Sequence, residues 1–323
     1  MAERENIRGE CYTFIWLDHF WVLENPSPPH PGETSKGFVM HFQVSEKTKK
    51  PFSLKIFVIT VFGSLIAYNV LVAIIMGQFF PKRWALQVSA SNASVFWTFV
   101  GMSFFNCFVE YFFHRYVLHA RVVWFLSPFY RKHTRHHGLT PIAFRPHRES
   151  TPTIENRFPI IREEQHEASF FPWYAFVAFT LVATTLFIAV HWLFPRIPIF
   201  LGGSLGIASS LFLYEVLHAI SHWPIEKWKP LITHRRFGRA FQCVYAFHAG
   251  HHVNVLCNES VSGFFGLPLA DLVFGTLVLS PTWFPHGETP SEREMKFKMP
   301  RRARFIVFLD RFAARSHRSR SGV

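Results

Sequence analysis

The sequence predicts an all-α integral membrane protein, with about four transmembrane helices capped by a helical, histidine-rich domain on the cytoplasmic side. Three observations predict it. Apolar residues are gathered into four long runs, and a bilayer core about 30 Å thick requires roughly 20 such residues per helical span. The cations fall almost entirely on one side of those runs. Ten of the nineteen histidines lie in four clusters that the same layout carries to that side.

Residues 1–51 are polar and rich in proline, and NPSPPHPGE at 25–33 reads as a turn-rich linker. The opening MAERENIRGE is charged with no apolar core behind it, so no secretory leader is expected. His30-Pro31-Gly32 has the look of a haem-binding turn, but Glu33 follows it and too few residues surround it for a haem fold. Ile56–Phe80 is a run of 25 uncharged residues and forms the first expected span. Pro81-Lys82-Arg83 ends it. Asn92–Phe113, whose only charge is Glu110, is the second span. Phe170–Phe194 is the third, Pro195 breaks it, and Ile197–Leu217, with Glu215 near its end, is the fourth. The short connection makes the last two a hairpin. The apolar pieces at 121–130, 263–279 and 305–309 are too short or interrupted to span. They are expected to lie in the membrane interface or to pack under the histidines. The chain thus divides into a polar cytoplasmic amino-terminal segment (1–51), a four-span domain with its cap (52–280) and a basic carboxyl-terminal tail (281–323).

A formal charge of +13 and a pI near 9.9 raise nucleic acid as a partner. The placement of the charge gives a better account. Residues 1–55, the 114–169 loop and the carboxyl-terminal region hold seven, nine and fifteen Lys and Arg, 31 of the 34. Lys82, Arg83 and Arg196 are the three on the other side. By the positive-inside rule the majority side is the cytoplasm, so the partner is a membrane and no nucleic acid is expected. The expected location is multi-pass, in the endoplasmic reticulum of a eukaryotic cell or the inner membrane of a bacterium. Cys11, Cys107, Cys243 and Cys257 show no C-x-x-C spacing, which argues against a thiolate zinc site or a disulfide framework.

His133, His136 and His137 form one H-x-x-H-H box, and His248, His251 and His252 repeat it. His114 and His119 precede the first box, and His218 and His222 the second. A neutral imidazole is a common ligand for transition metals, and one ion takes about four to six ligands. Ten ligands suit two ions. Span two delivers His114 and His119 at its cytoplasmic end, span four delivers His218 and His222, and both boxes follow in cytoplasmic segments. All ten can therefore meet. His218 and His222 are four apart and share a helical face. His114 and His119 are five apart, about 140° around an α-helix, so either they serve different ions or the helix loosens there. Within each box the first two histidines are expected to converge on one ion while the third reaches the other. Glu110 and Glu215 lie four and three residues before His114 and His218. A carboxylate in a span is costly and is normally paired or functional. The expected role is to accept the N–H of a ligating imidazole, with direct ligation as the alternative. His191, alone at the opposite end of span three, reads as an interfacial residue. His147, His166 and His234 read as surface or supporting residues.

The order H-x-x-x-x-H, H-x-x-H-H, H-x-x-x-H, H-x-x-H-H, opened by EYFFHRYVLH and followed by ADLVFGT, resembles the fatty acid hydroxylase superfamily of membrane non-haem di-metal enzymes. Sterol desaturases and sphingoid and carotenoid hydroxylases are among its members. The resemblance covers about residues 54–280 and includes the four-span layout. It implies two iron ions held by the ten histidines, replaceable by zinc in purified protein, and a structural role near the site for Asp271 and Gly275. It also implies dioxygen-dependent hydroxylation or desaturation of a lipid C–H bond. Tyr130-Arg131-Lys132 before the first box and Gly138-Leu139-Thr140-Pro141 after it depart from the fatty-acid 2-hydroxylase branch. The connection from His251 to Gly266 is longer than usual for the superfamily. The resemblance therefore speaks for the metal core and leaves the lipid open.

The sequence offers no haem, flavin or nucleotide motif, so the electrons are expected from a separate cytochrome or ferredoxin-type donor with its reductase. The substrate would be a lipid drawn from the bilayer. The alternative function is a membrane transporter or sensor for zinc or another divalent ion. Transport calls for polar ligands along the middle of the spans, whereas these ligands gather at one face.

Overall fold

A computed structural model describes residues 53–145, 153–172, 174–279 and 299–321. The expected amino-terminal segment, with its haem-like turn and Cys11, lies outside the described residues, as do His147 and the start of the basic tail. The described chain is mostly helical. Helix α1 (Leu54–Phe79) begins where the Ser53 side chain accepts the N–H of Ile56. Helix α2 (Pro81–Val88) starts on proline, whose missing N–H costs nothing at a helix's first position. Ser91 caps helix α3 (Asn92–Phe113) by accepting from Ser94 N. The third and fourth long helices are α6 (Ala175–Leu193) and α7 (Ile199–Ser221). The third begins five residues later than expected, because Phe170 is extended and Ala175 N–H closes a turn on Pro172. Helices α1, α3, α6 and α7 are long and apolar enough to cross a membrane. Their outward side chains, among them Ile59, Phe62, Leu181 and Val182, are exposed apolar groups of the kind lipid would cover.

Helix α7 is the centre of the bundle and packs against the other three. Small residues set its closest approach. A Cβ added at Gly202 would lie 2.7 Å from Thr98 Cβ, and one at Gly206 2.8 Å from Met102 Cβ. Gly202 and Gly206 therefore form a small-xxx-small seam against α3. Asn106 Nδ2, donating to Ser210 Oγ at 3.3 Å, extends the seam one turn further. At the other end of the bundle, the Gln87 amide donates to the carbonyls of Pro195 and Ile197 and ties down the α6–α7 hairpin. The bundle's geometry thus fixes where α3 and α7 end, side by side.

The cap is built from α4 (Ser127–Leu139), α5 (Glu163–Ser169), α8 (Ile225–Ile232), α9 (Gly238–Val253) and α10 (Leu269–Phe274). The all-α expectation needs one correction: β1 (Ile142–Arg145) and β2 (Thr153–Asn156) form an antiparallel ribbon, with Ile142 opposite Asn156. Pro141 disfavours helix at this point, and Ile142 is buried with Phe158, Trp228 and Tyr245. Packing then holds the segment extended. Helix α10 ends at Gly275 in the left-handed region (φ 69°), where a Cβ would lie 2.4 Å from the Arg301 carbonyl oxygen. Helix α11 (Arg304–Ser321) docks through Ile306, buried with Cys107, Tyr111 and Ala270. The three short apolar pieces therefore contribute packing, and none of them spans.

Candidate metal centre

Helix α3 does not stop as an α-helix. It continues through His114–Leu118 as a π-turn, closed by His119 N–H to His114 O at 3.0 Å. The wider turn brings residues five apart onto one side, and such turns are concentrated at functional sites. His114 and His119 consequently serve one group, which settles the choice the sequence left open. That group is His114, His119, His133, His137 and His251; the other is His136, His218, His222, His248 and His252. Within each group the candidate ligand atoms all lie within 4.8 Å of one another, and each group could hold a metal ion.

The expected pairing inside the boxes is corrected. Helix α4 gives His133 and His137 to the first group and His136 to the second. Helix α9 gives His248 and His252 to the second and His251 to the first. Both boxes are α-helical, so residues four apart stack on one face while the middle histidine leans to the neighbouring side. The two groups abut, with the His137 and His252 rings stacked at 4.1 Å between centroids.

Inside the first group, His114 Nε2 lies 3.0 Å from His133 Nε2, and His119 Nε2 lies 2.9 Å from His251 Nε2. In the second, His136 Nε2 is 3.2 Å from His218 Nε2 and His222 Nε2 is 3.1 Å from His248 Nε2. Nitrogens about 2.1 Å from a common ion and at right angles to each other would be about 3.0 Å apart. The outer ring nitrogens show which atom is free to ligate. Nδ1 of His114 donates to Glu259 O (2.5 Å), that of His222 to Phe158 O (2.6 Å), that of His251 to Cys257 O (2.8 Å) and that of His252 to Thr140 O (3.0 Å). A carbonyl can only accept, so Nδ1 carries the proton and Nε2 turns its lone pair inward. Ser169 Oγ donates its one proton to Gln165 O, so it accepts from His136 Nδ1 at 2.7 Å with the same result. Converging lone pairs repel one another unless a cation lies between them. The donor chemistry therefore fits a metal ion.

Burial reinforces this fit. It holds His133, His136, His137, His248, His251 and His252 well below the usual imidazole range, and His222 down to about 3, with neighbouring imidazoles adding to the effect in all but His222. All are neutral near pH 7, the state a ligand needs.

Glu110 and Glu215, the expected acidic partners of the imidazoles, do other work, and Asp271 has a structural part beside them. Glu110 accepts the N–H groups of Ser262 and Gly263 and the Ser262 hydroxyl. Glu215 accepts Phe171 N–H at 2.7 Å. Asp271 accepts Glu259 N–H, Ser260 N–H and the Thr276 hydroxyl, and these bonds offset the upward push of burial on its pKa. None of the three accepts from a histidine. Each faces a segment arriving from elsewhere in the chain and accepts one or more of that segment's N–H groups. Glu110 and Asp271 thereby shape the 258–263 loop that carries Glu259.

Sequence reasoning missed the carboxylate nearest the histidines. Glu259 is fully buried, with Oε2 3.7 Å from His114 Nδ1 and Oε1 2.7 Å from the Arg115 guanidinium. Arg115 also binds Asp310 through Nε at 2.8 Å, which ties α11 to the π-turn. Ser169, Thr140 and the carbonyls of Phe158 and Cys257 were equally hidden. The one available signal was Arg115 itself, a cation inside an apolar helix end that had to find an acid.

His191 is buried against Phe200 at the opposite end of α6, a correction to its reading as interfacial. The hairpin folds Phe200 over it. His166 lies beside Phe170, and His234 is exposed and caps its own turn; neither joins a histidine group. No family model, curated protein or solved structure significantly matches the chain.

Proposed function

We propose that this chain is a membrane-bound di-iron oxygenase that hydroxylates, or desaturates, a lipid C–H bond with dioxygen. The observation that carries the reading is the pair of abutting five-imidazole sets at the ends of two apolar helices. Five imidazoles exceed the four ligands of a closed tetrahedral zinc site and leave one of six positions free on a larger coordination sphere. Iron bound there would supply the redox activation of dioxygen, which zinc cannot. In hydroxylation one oxygen atom enters the C–H bond and the other leaves as water, using two electrons and two protons.

The chain's own residues have three tasks in this reading. The ten imidazoles would hold the ions, and the carbonyls and Ser169 hold His114, His136, His222, His251 and His252 in the ligating tautomer. Tyr214, whose ring lies 6.3 Å from His114 and 5.6 Å from His218, marks the bilayer side of both sets. It continues through Phe171 into Phe113, Phe129 and Phe179, an aromatic wall that would guide a lipid chain and exclude water. The superfamily resemblance of the four boxes supports the same reaction. Electrons would come from a cytochrome or ferredoxin-type donor, attracted to the exposed Lys227, Lys229, Arg235, Arg236 and Arg239. The cation distribution supports a four-span topology with both termini and the histidines cytoplasmic. A transporter or sensor fits less well, because all ten ligands lie at one end of the bundle.

The test is turnover of iron-loaded, reconstituted protein with a reductase system and labelled dioxygen. Hydroxylation predicts one labelled oxygen atom in a lipid product. Turnover by the zinc form, or without an electron donor, would make the chemistry hydrolytic or isomerising and end the oxygenase reading.

A further inference from the structure

The helix at the carboxyl-terminal end, α11, presents three distinct faces. Ile306, Asp310 and Ala313 turn inward: Ile306 and Ala313 are buried, and Asp310 pairs with Arg115 and Arg302. Phe305, Phe308 and Phe312 are spaced by three and four residues, so they form one stripe. They are 56%, 64% and 56% exposed, a level unusual for three phenylalanines on a single face. Arg304, Arg311 and Arg315, spaced by seven and four, form a second exposed stripe beside it. Arg301 and Arg302 extend the charge, and a recess of about 520 Å³ is lined by Arg301, Arg302, Arg304, Val307, Phe308 and Arg311.

The position of the helix indicates what covers these stripes. Phe305 sits 6.3 Å from Phe112, in the last turn of α3, and Ala303 N–H bonds to Phe274 O. Helix α11 therefore lies at the level where a candidate span leaves the bilayer. Its phenylalanines continue the exposed apolar surface of Leu272 and Val273 on α10 and of Phe105 and Val109 on α3. We propose that α11 is an in-plane membrane anchor and that its arginine stripe binds the headgroups of anionic phospholipids. The phenylalanines would enter the acyl boundary while the arginines stay at headgroup depth, as an interfacial amphipathic helix requires. Guanidinium groups match phosphate oxygens in a bidentate geometry. An acidic protein would satisfy the arginines, but it would leave unexplained an apolar stripe continuous with the lipid-facing surface. The proposal rests on the membrane-spanning reading and is independent of the reaction.

Full-length protein, released gently from mixed phosphatidylcholine and phosphatidylglycerol nanodiscs, can be examined by native mass spectrometry for retained lipid. Wild type is expected to retain phosphatidylglycerol preferentially. The triple variant Arg304→Gln, Arg311→Gln, Arg315→Gln should lose that preference by about tenfold or more, since each interfacial cation contributes appreciably. The variant Lys82→Gln, Arg83→Gln, Arg196→Gln loses equal charge at the other end of the bundle and should keep the preference. Circular dichroism checks that both variants are folded; if the first is not, Arg311→Gln alone should give a smaller loss in the same direction. Equal retention of the two lipids by wild type, or an equal loss in both triple variants, would overturn the proposal. So would an unchanged lipid preference in the first variant accompanied by weakened binding of an acidic electron-donor protein.

Discussion

Five of the ten imidazoles of the candidate metal centre are aimed by what their outer nitrogen touches. His136 depends on one hydroxyl, that of Ser169, which relays its hydrogen bond onto Gln165 O. Ser169→Ala should leave the fold intact yet lower metal affinity by about tenfold, the low end for loss of a ligand's outer partner, as read by competition with a chelator. Unchanged affinity would mean that packing alone orients His136. A second prediction concerns acid. The folded chain keeps His222 down to about 3, whereas an unfolded histidine titrates near 6.5. As pH falls below about 6.5, the unfolded state takes up protons that the folded state refuses, so stability present at neutral pH is lost progressively towards about 3. The metal-free protein should therefore melt at a lower temperature at pH 5 than at pH 7.5. An equal or higher melting temperature at pH 5 would contradict the buried, neutral histidine sets. The identities of the ten histidines were legible from spacing alone, but their outer partners were not. Four of those partners are backbone carbonyls, which every residue possesses and no sequence pattern marks.

At the scale of single elements, the π-turn at His114–Leu118 decides where His119 points. Inserting one alanine after Val117 would put His114 and His119 six apart, which the π-turn does not accommodate, and should swing His119 by about 100° away from the first group. The second group, carried by α4, α7 and α9, should survive, so bound metal should fall by about half; full retention would show that the π-turn is dispensable. The seam between α3 and α7 is equally sensitive. Gly206→Leu would force at least four extra heavy atoms against Met102 and should cost about 1–3 kcal/mol by overpacking, visible as a lowered melting temperature. Span existence and rough limits were readable, because a bilayer demands length and apolarity whatever the fold. The five-residue spacing of His114 and His119 announced a problem that α periodicity could not solve. The pairing inside the boxes was not legible, since it depends on both boxes being α-helical, which H-x-x-H-H spacing alone does not fix. Glu110 and Glu215 were misassigned for a different reason. Their proximity to histidines along a helix was visible, but the competing N–H groups come from Ser262, Gly263 and Phe171, at distances in sequence that local periodicity does not reach.

For the whole molecule, the organising fact is that two long helices end side by side and each supplies two ligands, while two cap helices supply three each. The cation asymmetry predicts which face of the membrane this end occupies. A cysteine-labelling reporter at 84–90 should react from outside the cytoplasm, and one at 140–150 only from within it; the reverse pattern would invert the proposed topology and remove the electron donor's access to the site. The strongest claim is that the ten histidines form two adjoining metal sites of five imidazoles each. Elemental analysis combined with X-ray absorption on the purified full-length chain tests it most directly. The account predicts two ions per chain, each surrounded by about five nitrogen donors at roughly 2.1 Å; one ion or fewer per active chain, or a shell dominated by sulfur, would contradict it.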